Sequence, residues 1–296
     1  MAKYITPAVT PLNADGTLDV QGAKALYEHL VTGGVDGILV LGSIGEFFAL
    51  SMEVKKQLID VAVEAVNHRI PLIVGTADMV FDNVLELSRY ALKAGADSVI
   101  IVPPFYFWLN DASVEKYYSA LAEQIDGPIY LYNFPDRTGY QLSVEVIRRL
   151  AEKYPNIVGC KDTIAGMDHT REMIKAVKPV RPDFEIYSGF DDNFAHNVLS
   201  GGDGCIAGLS NLAPEVTSAW AKAVNEGDAE GIALGQQKID RMMSIYGVGM
   251  PFVPFIKRAM ALRGIGVQSC ATFPLPEATE ADDAKLLAIM KQEGLL

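Results

Sequence analysis

Lys161 is the residue whose type and position indicate chemistry most directly. It ends the mainly apolar run 156–160, so its amine is expected among apolar neighbours. Burial favours the neutral form of a lysine amine, and a neutral amine can attack a carbonyl carbon to form a Schiff base. A surface lysine just past a strand and paired with Asp162 would give the same sequence, so Lys161 alone leaves both interpretations open.

Tyr132 ends the strand predicted just before, which places it one strand spacing, about 5 Å, from Lys161. A phenol there can move protons while a carbinolamine loses water and a carbon–carbon bond forms or breaks. On its own Tyr132 would be interpreted as a core residue, and the neighbouring Lys161 is what favours a catalytic role.

A glycine-rich turn at residues 42–45 (Gly-Ser-Ile-Gly) is the third candidate. Its backbone N–H groups could bind a carboxylate or an oxyanion, and the Ser43 hydroxyl could relay protons to Tyr132. Gly-Ser turns are common in ordinary loops, so the motif alone is weak evidence.

Other chemistries find little support in the residue pattern. The four histidines form no His-Glu-x-x-His or similar ligand pair, which argues against a zinc-dependent aldolase. Asp191 and Asp192 could bind a metal ion, but a helix N-terminus or hydrogen bonds to substrate hydroxyl groups fit them better. No phosphate-binding loop and no dinucleotide motif occurs. We therefore expect neither a metal nor an organic cofactor.

Composition and charge limit the class of protein. The 296 residues carry 25 Lys+Arg against 37 Asp+Glu, and this net charge of −12 argues against nucleic acid or an anionic membrane as main partner. No stretch approaches the length of apolar chain that spans a membrane. The start lacks the features of a signal peptide, and three cysteines without a Cys-x-x-Cys motif suit a reducing compartment. The expectation is a globular cytoplasmic protein.

Short apolar runs and amphipathic segments alternate along the chain and must position these candidates. The predicted strands are Ile5–Thr10, Gly37–Leu41, Leu72–Gly75, Ser98–Val102, Ile129–Tyr132, Ile157–Lys161, Phe184–Ser188 and Cys205–Ala207. Continuous apolar runs of this kind are typical of parallel strands that are buried on both faces. The predicted helices include Gln21–Thr32, Met52–Asn67, Asp82–Ala94, Val144–Tyr154, Met167–Val177, Pro214–Glu226, Asp228–Ser244, Pro251–Arg263 and Glu280–Glu293.

Eight strands that alternate with helices indicate an α/β fold of the (β/α)8 TIM barrel type. Residues 1–226 are expected to form the barrel, and residues 227–296 a C-terminal helical appendage packed on it. Ser51 and Ser143 stand at expected helix N-caps, and a glycine past a helix, such as Gly95, is expected to adopt a left-handed C-cap. In such barrels the active site lies at the carboxyl ends of the strands, which is where the candidate residues fall.

The motifs at these strand ends resemble those of the dihydrodipicolinate synthase / N-acetylneuraminate lyase family of pyruvate-dependent class I aldolases. They are residues 42–46 (Gly-Ser-Ile-Gly-Glu), 132–135 (Tyr-Asn-x-Pro) with 138–139 (Thr-Gly), and 159–162 (Gly-x-Lys-Asp). Jointly, in this order and spacing, they are highly specific, and the resemblance covers essentially the whole chain.

The resemblance implies a role for each matching residue. Lys161 would form the Schiff base, Tyr132 would move protons, and the Ser43 hydroxyl would relay them. The backbone amides of Ile44 and Gly45 would lie near the carboxylate of pyruvate.

The resemblance also implies a homotetramer. Tyr106 matches the tyrosine that this family inserts into the site of a neighbouring subunit, and Ile206 matches a residue whose backbone contacts bound pyruvate. The aromatic cluster at residues 105–108 carries more apolar surface than a solvated loop needs, and packing against another subunit would bury it.

Three positions bear on whether the chain resembles the synthases of the family. Synthases usually carry a hydroxyl residue where this chain has Ile44, and histidines that line their lysine-feedback site have no counterpart after Leu50. Arg137, in contrast, matches an arginine with which synthases bind the carboxylate of their aldehyde substrate.

Other segments look more like the 2-keto-3-deoxy sugar acid aldolases of the family. These segments are residues 133–136, 161–164 and 202–204, and the second supplies Thr163 as a candidate substrate contact. In sugar-cleaving members, the residues that match Gly189, Asp191 and Asp192 hold the polyol chain.

The expected activity is that of a Schiff-base pyruvate lyase that cleaves a 2-keto-3-deoxy sugar acid to pyruvate and an aldehyde. Dihydrodipicolinate synthase, which condenses pyruvate with aspartate semialdehyde, is the alternative. An inert barrel that serves as a ligand sensor is a third hypothesis, and the joint presence of Lys161 and Tyr132 argues against it.

Overall fold

The computed structural model describes all 296 residues, and its eight parallel strands close into a barrel in chain order. The strands are β1 (Lys3–Pro7), β2 (Gly37–Val40), β3 (Leu72–Gly75), β4 (Ser98–Ile101), β5 (Ile129–Asn133), β6 (Ile157–Asp162), β7 (Glu185–Ser188) and β8 (Gly204–Ile206). Nearly all strand residues are buried, because helices and the barrel interior cover the two faces of the sheet. The predicted (β/α)8 barrel is confirmed.

Twelve helices accompany the strands, and each predicted amphipathic segment corresponds to one of them. They are α1 (Val20–Thr32), α2 (Met52–Val66), α3 (Phe81–Ala94), α4 (Asp111–Ala122), α5 (Pro135–Thr138), α6 (Val144–Lys153), α7 (Asp168–Val177), α8 (Phe194–Leu199), α9 (Pro214–Glu226), α10 (Ala229–Met242), α11 (Val253–Leu262) and α12 (Glu280–Gln292). No helix combines the length and the apolar character needed to span a membrane.

The predicted caps are present at the helix ends. The side chain of Ser51 accepts a hydrogen bond from the backbone N–H of Val54, and Ser143 accepts one from Val146, each at 3.3 Å. These bonds satisfy N–H groups that have no partner inside the helix. Gly95 ends α3 with φ of +118°, a left-handed conformation that glycine adopts without steric penalty.

Strand ends differ from the prediction by one to three residues. β2 ends at Val40 because Leu41 has φ of 57°, which is left-handed and does not continue a strand. β1 begins two residues earlier than predicted and ends three residues earlier, at Pro7. At their carboxyl ends β5 and β6 each extend one residue further, to Asn133 and Asp162, which are paired in register.

The contacts within the chain group into two compact units. The first contains residues 1–2 and 73–206, with most of β3, α3, β4 to β8 and the helices between these strands. The second contains residues 3–72 and 207–296, with β1, β2 and the helices α1, α2 and α9 to α12. The division into a barrel domain that ends at residue 226 and an appended helical region stays a prediction.

Candidate active site

Lys161 and Tyr132 lie side by side at the ends of β6 and β5. The two residues are paired in register, and the Lys161 amine lies 3.3 Å from the Tyr132 hydroxyl oxygen. The same amine lies 4.5 Å from the centre of the tyrosine ring. Lys161 is 4% exposed and Tyr132 3% exposed, so the pair is buried. The alternative of a surface lysine is therefore wrong.

Asp162, the next residue along β6, binds other partners. Its carboxylate accepts hydrogen bonds from the side-chain amide of Asn133 at 2.7 Å and from the hydroxyl of Thr170 at 2.6 Å. The ring atom Nδ1 of His169 lies 3.0 Å from the same carboxylate. Successive strand side chains point to opposite faces, so Asp162 faces α7 while Lys161 faces the barrel interior.

His169 connects this group to the segment that precedes α6. Its second ring nitrogen, Nε2, lies 2.9 Å from the backbone carbonyl oxygen of Leu142, and the Leu142 N–H donates to the side-chain oxygen of Asn133 at 2.9 Å. Burial disfavours the charged ring, but the hydrogen bond and charge of Asp162, together with the Leu142 carbonyl, raise the pKa of His169 above its ordinary value.

Thr163 and Gly189, two predicted substrate contacts, lie against each other. The Thr163 N–H donates to the Asn133 carbonyl at 2.8 Å, and the Gly189 N–H donates to the Asp162 carbonyl at 2.8 Å. A Cβ atom at position 189 would lie 1.8 Å from the Thr163 hydroxyl oxygen, so only glycine fits. That hydroxyl is buried and has no hydrogen-bond partner within the protein.

The other predicted polyol contacts follow β7. Asp191 begins a short 3₁₀ turn that ends at Asn193 and is only 2% exposed, whereas Asp192 is half-buried. Ile206 ends β8 and is fully buried. The structure places all three at the carboxyl ends of their strands, the face predicted for the site.

Arg137 and Tyr106 are exposed, unlike the buried pair. Arg137 lies exposed in α5, with its guanidinium 5.3 Å from the centre of the Phe134 ring, and no carboxylate of the chain pairs with it. Tyr106 is 80% exposed on the loop after β4, next to Phe107 and Trp108, which are also exposed.

The glycine-rich turn lies in the second unit, directly after β2. Its shape is fixed by backbone bonds from Gly45 N–H to the carbonyl of Gly42 and from Glu46 N–H to that of Ser43. The hydroxyl of Thr10 donates to the Gly45 carbonyl at 2.6 Å. Ser43 is half-buried, and the adjacent Ile44 is buried at 5% exposure.

A buried ion pair follows this turn. Glu46, left-handed with φ of 58°, pairs with the amine of Lys257 on α11, and both side chains have no exposed surface. Lys257 also donates to the carbonyl of Cys270 at 2.8 Å, and the N–H of Thr272 donates to Glu46 at 2.6 Å. Burial lowers the pKa of Lys257, and Glu46 acts against this shift. The pair therefore anchors the turn to the C-terminal part of the chain.

Sequence reasoning missed both buried networks. A signal for the ion pair was present, because Lys257 and the adjacent Arg258 stand in an otherwise apolar stretch of α11. No comparable signal distinguished His169, since a histidine in the first turn of an amphipathic helix usually faces solvent. No group of three or more His, Cys, Asp or Glu side chains is arranged to hold a metal ion.

Comparison with known proteins identifies the family. The model of the dihydrodipicolinate synthetase family matches residues 1–293. YjhH of Escherichia coli K12, named a probable 2-dehydro-3-deoxy-D-pentonate aldolase, is 35% identical over 292 residues, 99% of this chain and 97% of the relative. YagE of the same organism, named a putative 2-dehydro-3-deoxy-D-gluconate aldolase, is 37% identical over 97% of this chain and 95% of its own.

A solved structure and a synthase extend the comparison. The crystal structure of YagE in complex with pyruvate superposes with a TM-score of 0.96 at 36% identity, covering 99% of both chains. A 4-hydroxy-tetrahydrodipicolinate synthase of Kosmotoga olearia is 32% identical over 97% of each chain. These similarities agree with the expected activity and with its alternative. The chain is an enzyme of the lyase and aldolase type and belongs to the dihydrodipicolinate synthetase family.

Proposed function

We propose that the protein cleaves a 2-keto-3-deoxy sugar acid to pyruvate and an aldehyde through a Schiff base on Lys161. The observation that carries the proposal is the buried amine of Lys161, 3.3 Å from the Tyr132 phenol and without a carboxylate partner. Lysine is rarely buried without an ion pair, so a role for the amine itself explains its position.

The reaction follows from these two groups. The amine adds to the ketone carbon, water leaves, and the resulting iminium draws electrons from the bond between carbons 3 and 4. Tyr132, which has given its phenol proton to the departing water, accepts the proton of the hydroxyl on carbon 4, the bond breaks, and the aldehyde departs. The enamine that remains takes up a proton at carbon 3, and water then releases pyruvate and restores the amine.

We assign binding of the substrate carboxylate to the turn after β2. The N–H of Ile44 would donate to the carboxylate, the Gly45 amide, which donates to the Gly42 carbonyl, would lie beside it, and Ser43 would relay protons. The backbone of Ile206 would contact the pyruvate part of the substrate. Likeness to the family's motifs supports these roles.

We assign the polyol end of the substrate to Thr163, Gly189, Asp191 and Asp192. Buried polar groups are normally hydrogen-bonded, so the unpartnered hydroxyl of Thr163 supports a polar ligand there. The missing side chain at Gly189 leaves room for that hydroxyl, and carboxylates such as Asp191 accept hydrogen bonds from sugar hydroxyl groups.

Dihydrodipicolinate synthesis is the second candidate, and Arg137 favours it. An exposed guanidinium that pairs with no carboxylate of the chain is free to bind one on a substrate. Aspartate semialdehyde carries such a carboxylate, whereas a neutral sugar-derived aldehyde does not.

Borohydride trapping tests the shared first step. Incubation with pyruvate and borohydride should give one reduced adduct, which peptide mass spectrometry should locate at Lys161. Lys161→Arg should abolish the adduct, while Lys175→Arg, a matched change at an exposed lysine of α7, should leave it. An adduct at another lysine, or none, would refute the mechanism. Assays of pyruvate release from a panel of keto-deoxy acids, against condensation with aspartate semialdehyde, decide between the two activities.

A further inference from the structure

We propose that His169 is a positioning residue, a buried imidazolium that keeps Asp162 ionised and holds the ends of β5 and β6 where Lys161 meets Tyr132. The inference rests on the proposed function, because it gives these two strand ends their importance. It concerns residues that the proposed reaction does not itself use.

The contacts of the ring require two protons. Nε2 faces the carbonyl oxygen of Leu142 at 2.9 Å, and Nδ1 faces the two carboxylate oxygens of Asp162 at 3.0 and 3.1 Å. A carbonyl oxygen can only accept, and a neutral imidazole has a single N–H group. A neutral ring would donate its single N–H to the Leu142 carbonyl, and Nδ1 could then bond to Asp162 only if the Asp162 carboxyl carried a proton.

The surroundings of Asp162 favour the ionised carboxylate. One of its oxygens already accepts from Asn133 at 2.7 Å and the other from Thr170 at 2.6 Å. A carboxylate that accepts several hydrogen bonds is stabilised in its charged form, so the shared proton belongs on His169. All four residues are buried, with no more than 6% exposure, so water cannot replace a lost contact.

Charges around the ring agree with this assignment. Asp162 on β6 and Asp168 on α7 both favour the charged ring. Lys161 lies on the opposite face of β6, and β5 and the segment at Leu142 present only uncharged groups. The side chains that α6 buries are all apolar: Val146, Ile147, Leu150 and Ala151. No cation is among the groups that shift the pKa of the ring.

The hydrogen-bonded network around His169 meets β5 and β6 one residue after the reacting pair. Asn133 and Asp162 are the register partners that follow Tyr132 and Lys161, and their side chains are joined directly. His169 then ties both strand ends to α7 and to the segment before α6. A misplacement of reacting groups by 1 Å can cost about 10²-fold in rate, so loss of this tie should lower turnover more than substrate binding.

The first test is the charge of the ring. Nitrogen-detected NMR of the wild-type protein at pH 7 should show both ring nitrogens of His169 protonated. A ring with a single proton would overturn the inference. Asp162→Asn should release the second proton, because the carboxylate that holds it is gone.

The second test is kinetic, on the substrate for which the wild type is most active. His169→Gln should lower kcat by about 10-fold or more with KM changed much less, because reacting groups are misplaced by part of an ångström. Thr170→Val is the matched control, since it removes one bond to the same carboxylate but no charge, and its loss should be smaller. Wild-type kcat in His169→Gln would contradict the proposal.

The two proposals fail separately. If borohydride traps no pyruvate on Lys161 of the wild type, the proposed function falls, whatever the charge of His169. If trapping succeeds and His169 is neutral, the function stands and the positioning role falls. Should His169→Gln not fold, the NMR measurement on the wild type still decides the question.

Discussion

At the scale of single residues, Lys161 is unusual because it is buried without a carboxylate partner. Buried lysines are almost always paired with a carboxylate, as Lys257 is with Glu46. Lys161 contacts a neutral phenol instead, and the acid next to it in the chain, Asp162, faces the other way and is fully engaged by other donors. The amine of Lys161 thus has no counter-ion, while the carboxylate of Asp162 is held by Asn133, Thr170 and His169.

Tyr132→Phe should separate binding from proton transfer. It removes only the hydroxyl, so turnover should fall by about 10²–10³-fold, as expected for loss of an acid–base group, while borohydride still traps pyruvate on Lys161. Tyr118→Phe is the control, because that buried phenol donates to the backbone carbonyl of Ile101. Turnover of Tyr132→Phe close to that of the wild type would reduce Tyr132 to a core residue.

Asp191 and Arg137 should have opposite importance for the two candidate substrates. We expect Asp191→Ala to harm cleavage of a keto-deoxy sugar acid more than Arg137→Ala does, because a polyol offers hydroxyl groups to a carboxylate and no anion to an arginine. Steady-state kinetics on both substrates measures this. Greater damage from Arg137→Ala, with aspartate semialdehyde as the better acceptor, would favour the synthase.

His169 should make stability depend on pH. Its pKa is raised in the folded protein, so its contribution is fully present below the unfolded pKa of about 6.5 and is lost as pH rises through the folded pKa. The difference in free energy of unfolding between wild type and His169→Gln should therefore shrink from pH 6 to pH 9. Urea titrations at several pH values give this difference, and one that grows with pH would contradict the assignment.

At the scale of elements, the sequence predicts the positions of strands and helix starts, because local residue patterns determine them. Apolar runs locate all eight strands, and Ser51 and Ser143 mark two helix starts. The ends of strands are less predictable, because Leu41 leaves β2 through a left-handed conformation that leucine rarely adopts. Contacts between distant segments carry no local pattern, so the partners of Asp162 and Glu46 emerge only from the fold.

The ion pair between the turn after β2 and α11 should be important for stability. Lys257→Met leaves Glu46 buried without its cation and should cost about 3–5 kcal/mol in free energy of unfolding. The double change Glu46→Gln with Lys257→Met should recover much of this loss. Lys175→Met, which breaks an exposed pair with Glu172, should change stability by less than about 1 kcal/mol. Equal effects of the two single changes in denaturant titrations would show that burial of the pair is unimportant.

At the scale of the whole molecule, the aromatic loop after β4 predicts self-association. Tyr106, Phe107 and Trp108 are 80, 74 and 69% exposed, and a contiguous apolar patch of this kind favours contact with another chain. Light scattering at micromolar concentration should give the mass of a homotetramer. Phe107→Ser with Trp108→Ser should weaken the assembly, whereas Val180→Ser, at another exposed apolar residue, should not. A wild-type monomer would contradict this and remove Tyr106 from the active site.

The distance along the chain between Glu46 and Lys257 also has a consequence for synthesis. The two residues are 211 positions apart, and at about 5–20 residues per second the ribosome adds Lys257 roughly 10–40 s after Glu46. During that interval the carboxylate has no cation to accompany it into an apolar environment, so it stays hydrated. The turn after β2, with its apolar residue Ile44, is therefore translated early, but its contact with α11 can form only after Lys257 has been added.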